Sequence, residues 1–155
     1  MYRRSFELAE YHFLKARGLN PNKPSAQTNL GSLYAYLGNP DEGVRQFAAV
    51  RLMDPFFNPT WYWPALGVVH FIAQQYEEAI TAFSRASTPL DWVHAYLAAS
   101  CVHTNRNHEA KRHATEVLHL NPNFSCTRFV VKEPLNRMPD QNLLLEGLRT
   151  AGLPE

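Results

Sequence analysis

Residues 30–55 read LGSLYAYLGNPDEGVRQFAAVRLMDP, and the architecture of the whole chain follows from this stretch. Leu30, Gly31 and Tyr34 share a face at helical spacing, and Gly38-Asn39-Pro40 stops that helix. Gly43, Phe47 and Val50 mark the face of a second helix, which Asp54-Pro55 closes. A turn this short sends the second helix back antiparallel to the first. The two glycines then sit where the axes come closest, and Leu30, Tyr34 and Phe47 fill the space beside them.

The same spacing recurs on both sides. Ala9/Phe13/Ala16/Pro21, Ala79/Phe83/Ala86 and Ala110/Ala114/Val117/Pro122 repeat the second-helix pattern. Leu66-Gly67 and Leu97-Ala98 repeat Leu30-Gly31, in each case with the small residue twelve positions before the next helix's small residue. Helix pairs phased in this way resemble the tetratricopeptide repeat, whose period is about 34 residues. The resemblance implies an all-α fold: a right-handed superhelical solenoid of antiparallel helix pairs with a C-terminal capping helix. Residues 1–155 then form a single domain. It divides into an orphan second helix over 1–21, repeats over 24–57, 60–90 and 91–123, and a cap over 124–155. Gly31 to Gly67 is 36 residues and Gly67 to Ala98 is 31, so a widened turn is expected at Phe56–Pro59 and a shortened second helix before Pro89.

Helix starts are read at Ser25, Asp41, Thr60, Asp91, Asn107, Ser125 and Asp140, each a residue whose side chain can accept from a free helical N–H. The first helix is anomalous. Its stripe of Phe6, Ala9, Phe13 and Ala16 lacks the Leu-Gly helix that should pair with it. The chain is therefore expected to be cut from a longer protein, or to form a homodimer through this N-terminal helix.

Composition bounds the function. The chain is 45% hydrophobic and carries a net charge of +1 with both signs interspersed, which gives no basic stripe for nucleic acid. Two cysteines are too few for a disulfide framework, and no apolar run approaches the roughly 20 residues of a membrane span. A cytoplasmic protein without signal peptide is the expectation.

Three stretches carry a more specific resemblance. They are Arg51–Phe56 running on to Pro59-Thr60-Trp61-Tyr62-Trp63, then Gln75–Ile80, and the ending LEGLRTAGLPE at 145–155. Together they resemble the C-terminal tetratricopeptide region of bacterial class III adenylate/guanylate cyclases of the rhizobial type, over nearly the whole chain. In that family the repeats follow a catalytic domain. No paired metal-binding aspartates in a ferredoxin-like strand pattern occur here, so cyclase chemistry would belong to an upstream part. His70 and Cys101 depart from the usual Tyr, and Ala114 from the usual Phe.

The resemblance also implies that the first helix of each pair lines a concave groove. The positions expected to face it are Thr28, Ser32, Ala35 and Tyr36, then Trp61, Pro64, Val68 and Phe71, then Trp92, Ala95, Ala99 and His103. Such an apolar, aromatic surface suits a protein or peptide partner, unless the C-terminal tail or a second copy covers it. Residues 25–37, 61–75 and 92–105 contain no Lys or Arg, which speaks against an RNA partner and against a clamp for acidic tails. His94, Cys101, His103, His108 and His113 lack the tight spacing of a zinc site, so no metal or cofactor is expected. Cys101 falls at a close helix contact and reads as an inert core thiol. No phosphate loop, nucleophile elbow or catalytic carboxylate pair is present, so the chain is not expected to be an enzyme.

Overall fold

The computed structural model describes residues 2–155, and side-chain surroundings from residue 6 onward. Among them are nine helices and no strand. In chain order they are α1 (Tyr2–Leu19), α2 (Pro24–Tyr36), α3 (Pro40–Met53), α4 (Tyr62–Ile72), α5 (Tyr76–Phe83), α6 (Asp91–His103), α7 (Asn107–Leu120), α8 (Cys126–Lys132) and α9 (Met138–Thr150). The helices α2/α3, α4/α5 and α6/α7 form three stacked pairs, with α1 packed on α2.

The small residues sit at the close approaches. A Cβ on Gly31 would lie 2.8 Å from the Phe47 ring and 3.0 Å from the Gly43 carbonyl oxygen, and one on Gly67 would lie 2.7 Å from the Phe83 ring. Each aromatic ring of a second helix thus rests directly on the glycine of its first helix. Ala98 and Ala110 are fully buried at the matching positions of α6 and α7. One continuous core runs through the pairs, with Phe47, Tyr62, Phe71, Phe83 and Tyr96 almost wholly enclosed. Each such side chain contributes roughly 1.5–3 kcal/mol by leaving water.

The turn inside each pair is also repeated. Asn39 N donates to Tyr34 O at 2.8 Å, Gln75 N to His70 O at 2.9 Å and Arg106 N to Cys101 O at 2.8 Å. In each turn the preceding residue is left-handed: Gly38 at φ 93°, Gln74 at 58° and Asn105 at 60°. This is the six-to-one hydrogen bond that ends a helix over a left-handed residue.

Several helix starts differ from the sequence reading. Pro24, Pro40 and Pro139 occupy the first turns of α2, α3 and α9, so these helices begin ahead of Ser25, Asp41 and Asp140. Proline's fixed φ is already helical, and it lets the helix start before the anticipated cap. Asn39 rather than Asp41 caps α3, accepting from Glu42 N at 3.4 Å. Thr60 lies outside α4, while Asp91 and Asn107 are first residues of their helices rather than caps. Ser125 does cap α8, accepting from Arg128 N at 3.2 Å. The eight-residue α5 is the shortened helix that the spacing anticipated, and the widened turn spans residues 54–61.

Helix α1 is half covered. Phe6, Ala9, Phe13 and Ala16 are partly buried, while Leu8, Tyr11, Leu14 and Leu19 are exposed. Among the described residues no helix is long and apolar enough to cross a membrane.

Candidate partner-binding surface

The C-terminal segment does more than close the end of the stack. It turns back across the first helices α2 and α6. Asn136 N donates to Tyr36 O at 3.2 Å, and Arg137 Nη1 to Gly38 O at 3.4 Å, which ties the extended link to the end of α2. Helix α9 then lies against α6. A Cβ on Gly147 would be 2.7 Å from Ala99 Cβ and 2.8 Å from its Cα, so the helices touch almost backbone to backbone. Leu144 and Leu148 are fully buried there, and the Leu143 carbonyl lies 2.9 Å from His103 Nε2.

This placement sorts the anticipated groove residues. Ala99 and His103 lie under α9, and Phe71 is buried with its ring edge-to-face on Tyr76 and Tyr96. His103 stacks on Tyr76 with centroids 4.5 Å apart. Thr28 is buried with its hydroxyl donating to Ser25 O at 3.0 Å, and Ser32 is half-buried. Ala35 and Ala95 have no exposed surface. Apart from the half-buried Ser32, these positions are covered by neighbouring elements, which include the C-terminal tail over Ala99 and His103.

Tyr36, Trp61, Pro64, Val68 and Trp92, in contrast, border a cavity of about 1070 Å³ between the starts of α4 and α6 and the near face of α8. Trp61 is 42% exposed at its mouth. Helix α8 contributes Phe129, Arg128 and Lys132, and the link adds Glu133 and Pro134. Tyr96 Oη donates to Glu133 Oε2 at 2.8 Å. Burial raises the Glu133 carboxyl above its ordinary range, although the Tyr96 bond opposes this. Burial and the nearby Glu133 carboxylate push the Tyr36 hydroxyl upward too. Sequence reasoning missed Phe129, Arg128, Lys132 and Glu133, since nothing local tells a seven-residue helix which face of the stack to join.

The architecture has counterparts among solved structures. The crystal structure of MamA superimposes with a TM-score of 0.66 over 96% of this chain and 88% of that one, at 16% identity. The APC/C hetero-tetramer Cut9-Hcn1 gives a TM-score of 0.69 at 20% identity, over 92% of this chain and 26% of that one. Both are tetratricopeptide-repeat proteins. The fold is a tetratricopeptide-type solenoid. No protein-family model matches the sequence, and no curated protein is significantly similar to it.

Within the tetratricopeptide frame, further titratable and thiol side chains lie between the helices. His94 Nδ1 and His113 Nδ1 are 3.0 Å apart across α6 and α7. Burial, then His94 and Arg112, lowers His113 to about 4. Among the described residues no three His, Cys, Asp or Glu side chains cluster as a metal site. Cys101 and Cys126 are buried free thiols, each pushed up to about 11 by burial. Asp140 is buried with Oδ2 lacking a hydrogen-bond partner, 3.7 Å from Arg137 Nε.

Proposed function

We propose that this chain is a non-catalytic protein-interaction scaffold that holds a peptide segment of a regulatory partner on its concave side, at the cavity between Trp61 and Trp92. The observation that carries the reading is that cavity. It is as large as ligand pockets generally are, and aromatic side chains from three separate elements border it. Aromatic anchors with an apolar body and a polar edge are the side chains that most often dominate such interfaces. The tail's own course over α2 and α6 supports the reading, since an extended link and an amphipathic helix are seated on these helices. The motifs shared with class III cyclase C-terminal regions suggest the setting, a regulatory module serving a catalytic domain. That link rests on the sequence motifs.

A random peptide library displayed on phage and panned on the protein provides the test. Peptides selected on the parent should be lost on Trp61→Ala and on Trp92→Ala. Selection that both substitutions leave intact defeats the assignment. A structural homodimer is the second reading, favoured by the exposed Leu8, Tyr11, Leu14 and Leu19 of α1. Sedimentation as a monomer at micromolar concentration would count against it.

A further inference from the structure

We propose that the cavity selects an acidic peptide segment bearing an aromatic or branched apolar anchor, with Arg128 and Lys132 of α8 supplying the selectivity. The inference rests on reading the cavity as the binding surface. The first helices of the pairs carry no cation, which by itself would make the groove indifferent to charge. Helix α8 changes this by bringing two cations to the cavity wall at i and i+4, on one helical face.

Formal charge around the cavity is balanced, with Asp91 and Glu133 against Arg128 and Lys132. Hydrogen-bonding capacity is not. Asp91 Oδ1 accepts from Trp92 N and Oδ2 from Asn121 Nδ2, both at 2.9 Å. Glu133 is turned inward to accept from Tyr96 at 2.8 Å, and burial disfavours its ionised form. Both oxygens of Asp91 and one of Glu133 are therefore engaged with the wall, which leaves Glu133 Oε1 as the one carboxylate oxygen of the lining without a protein donor among the described residues. Arg128 spends one N–H on Asn123 O at 2.8 Å and keeps the rest of its five-donor fork. Lys132 is exposed and lines the cavity, and among the described residues none accepts from its three donors. What the wall still offers a ligand is donors on positive charge, which match carboxylates. The floor of Trp61, Trp92 and Phe129 then takes the anchor.

The test uses three dye-labelled hexapeptides blocked at both ends: Asp-Glu-Trp-Leu-Glu-Asp, Ser-Gln-Trp-Leu-Gln-Ser and Lys-Arg-Trp-Leu-Arg-Lys. Their affinities are measured by fluorescence anisotropy on the full chain. The acidic probe should bind at least about fivefold tighter than the neutral one, and the basic probe most weakly. Arg128→Gln and Lys132→Gln should each cost the acidic probe about twofold to fivefold and the neutral probe less, so that the preference between the two narrows. The helical circular dichroism spectrum of each variant verifies folding. Equal binding of acidic and neutral probes, with both lost in Trp61→Ala, overturns the charge selectivity and leaves the cavity assignment standing. Tightest binding by the basic probe, or by a single-stranded oligouridine, also overturns it. Failure of all three peptides to bind at millimolar concentration overturns the cavity assignment as well.

Discussion

Gly147→Ala tests the docking of the C-terminal helix against α6. Two effects of opposite sign meet at this position. Alanine in place of glycine inside α9 improves helix propensity by about 1 kcal/mol. The added methyl, however, would lie 2.7 Å from Ala99 Cβ, 2.8 Å from Ala99 Cα and 3.2 Å from Ala99 O. Two of these are backbone atoms and the third has no torsion to relieve the clash, so α9 must move off α6. Overpacking of this kind costs roughly 1–3 kcal/mol, and the rigid neighbours place it near the upper end. The net expectation is a loss of about 2 kcal/mol, or a melting temperature lower by roughly 4–8 °C for a chain of this size. Gly18→Ala is the control, because nothing lies within 4 Å of the added Cβ and α1 should gain or stay neutral. The assay is thermal unfolding followed by circular dichroism at 222 nm. A Gly147→Ala protein as stable as the Gly18→Ala protein would refute the reasoning, since it would place α9 away from Ala99.

Two further predictions concern titration and reactivity. His113 titrates at about 4 in the fold against 6.5 for an ordinary histidine, so the folded state holds it neutral while the unfolded chain takes up a proton between those values. Its contribution is whole above pH 6.5 and is lost as pH falls towards 4, and solvent screening of this part-exposed ring keeps the loss on the order of 1 kcal/mol. Urea unfolding from pH 7.5 to 4.5 should show the parent losing more stability than His113→Asn, and parallel profiles would contradict this. Cys101 and Cys126, buried and held to about 11, should react with Ellman's reagent only after denaturation, when two thiols titrate. Rapid labelling of the native protein would contradict it.

The helix pairs were legible because their determinants are local. Gly31 meets Gly43 and Phe47, and Gly67 meets Phe83, within one hairpin, so sequence spacing alone brings them into register. Helix starts were less legible, because a proline beside a capping residue moves the boundary without changing the apolar pattern. Coverage of the groove by the tail was legible only as one of two open alternatives, without the contacts it makes. The bond from Arg137 to Gly38 spans 99 residues, and Leu144 and Leu148 announce an amphipathic helix without naming the surface it joins. For the same reason the candidate groove was only partly legible. Trp61, Trp92 and Tyr36 border open space, whereas Ala99 and His103 are covered by α9, far away in sequence, and Phe71 by Tyr76 and Tyr96 of the neighbouring helices. The absence of Lys and Arg from the first helices was a correct reading of those helices. It could not show that α8 would bring cations to the same cavity.

Hydroxyl-radical footprinting of the full chain, read residue by residue by mass spectrometry, tests most directly whether the concave face is half filled by the tail and open only between Trp61 and Trp92. Trp61 should be oxidised readily, while Phe71 and Tyr96, 1% and 0% exposed, should be protected. Oxidation of Tyr96, whose ring meets Phe129 and whose hydroxyl meets Glu133, at a rate matching Trp61 would mean that the tail does not lie in the groove, and the proposed site would lose its walls.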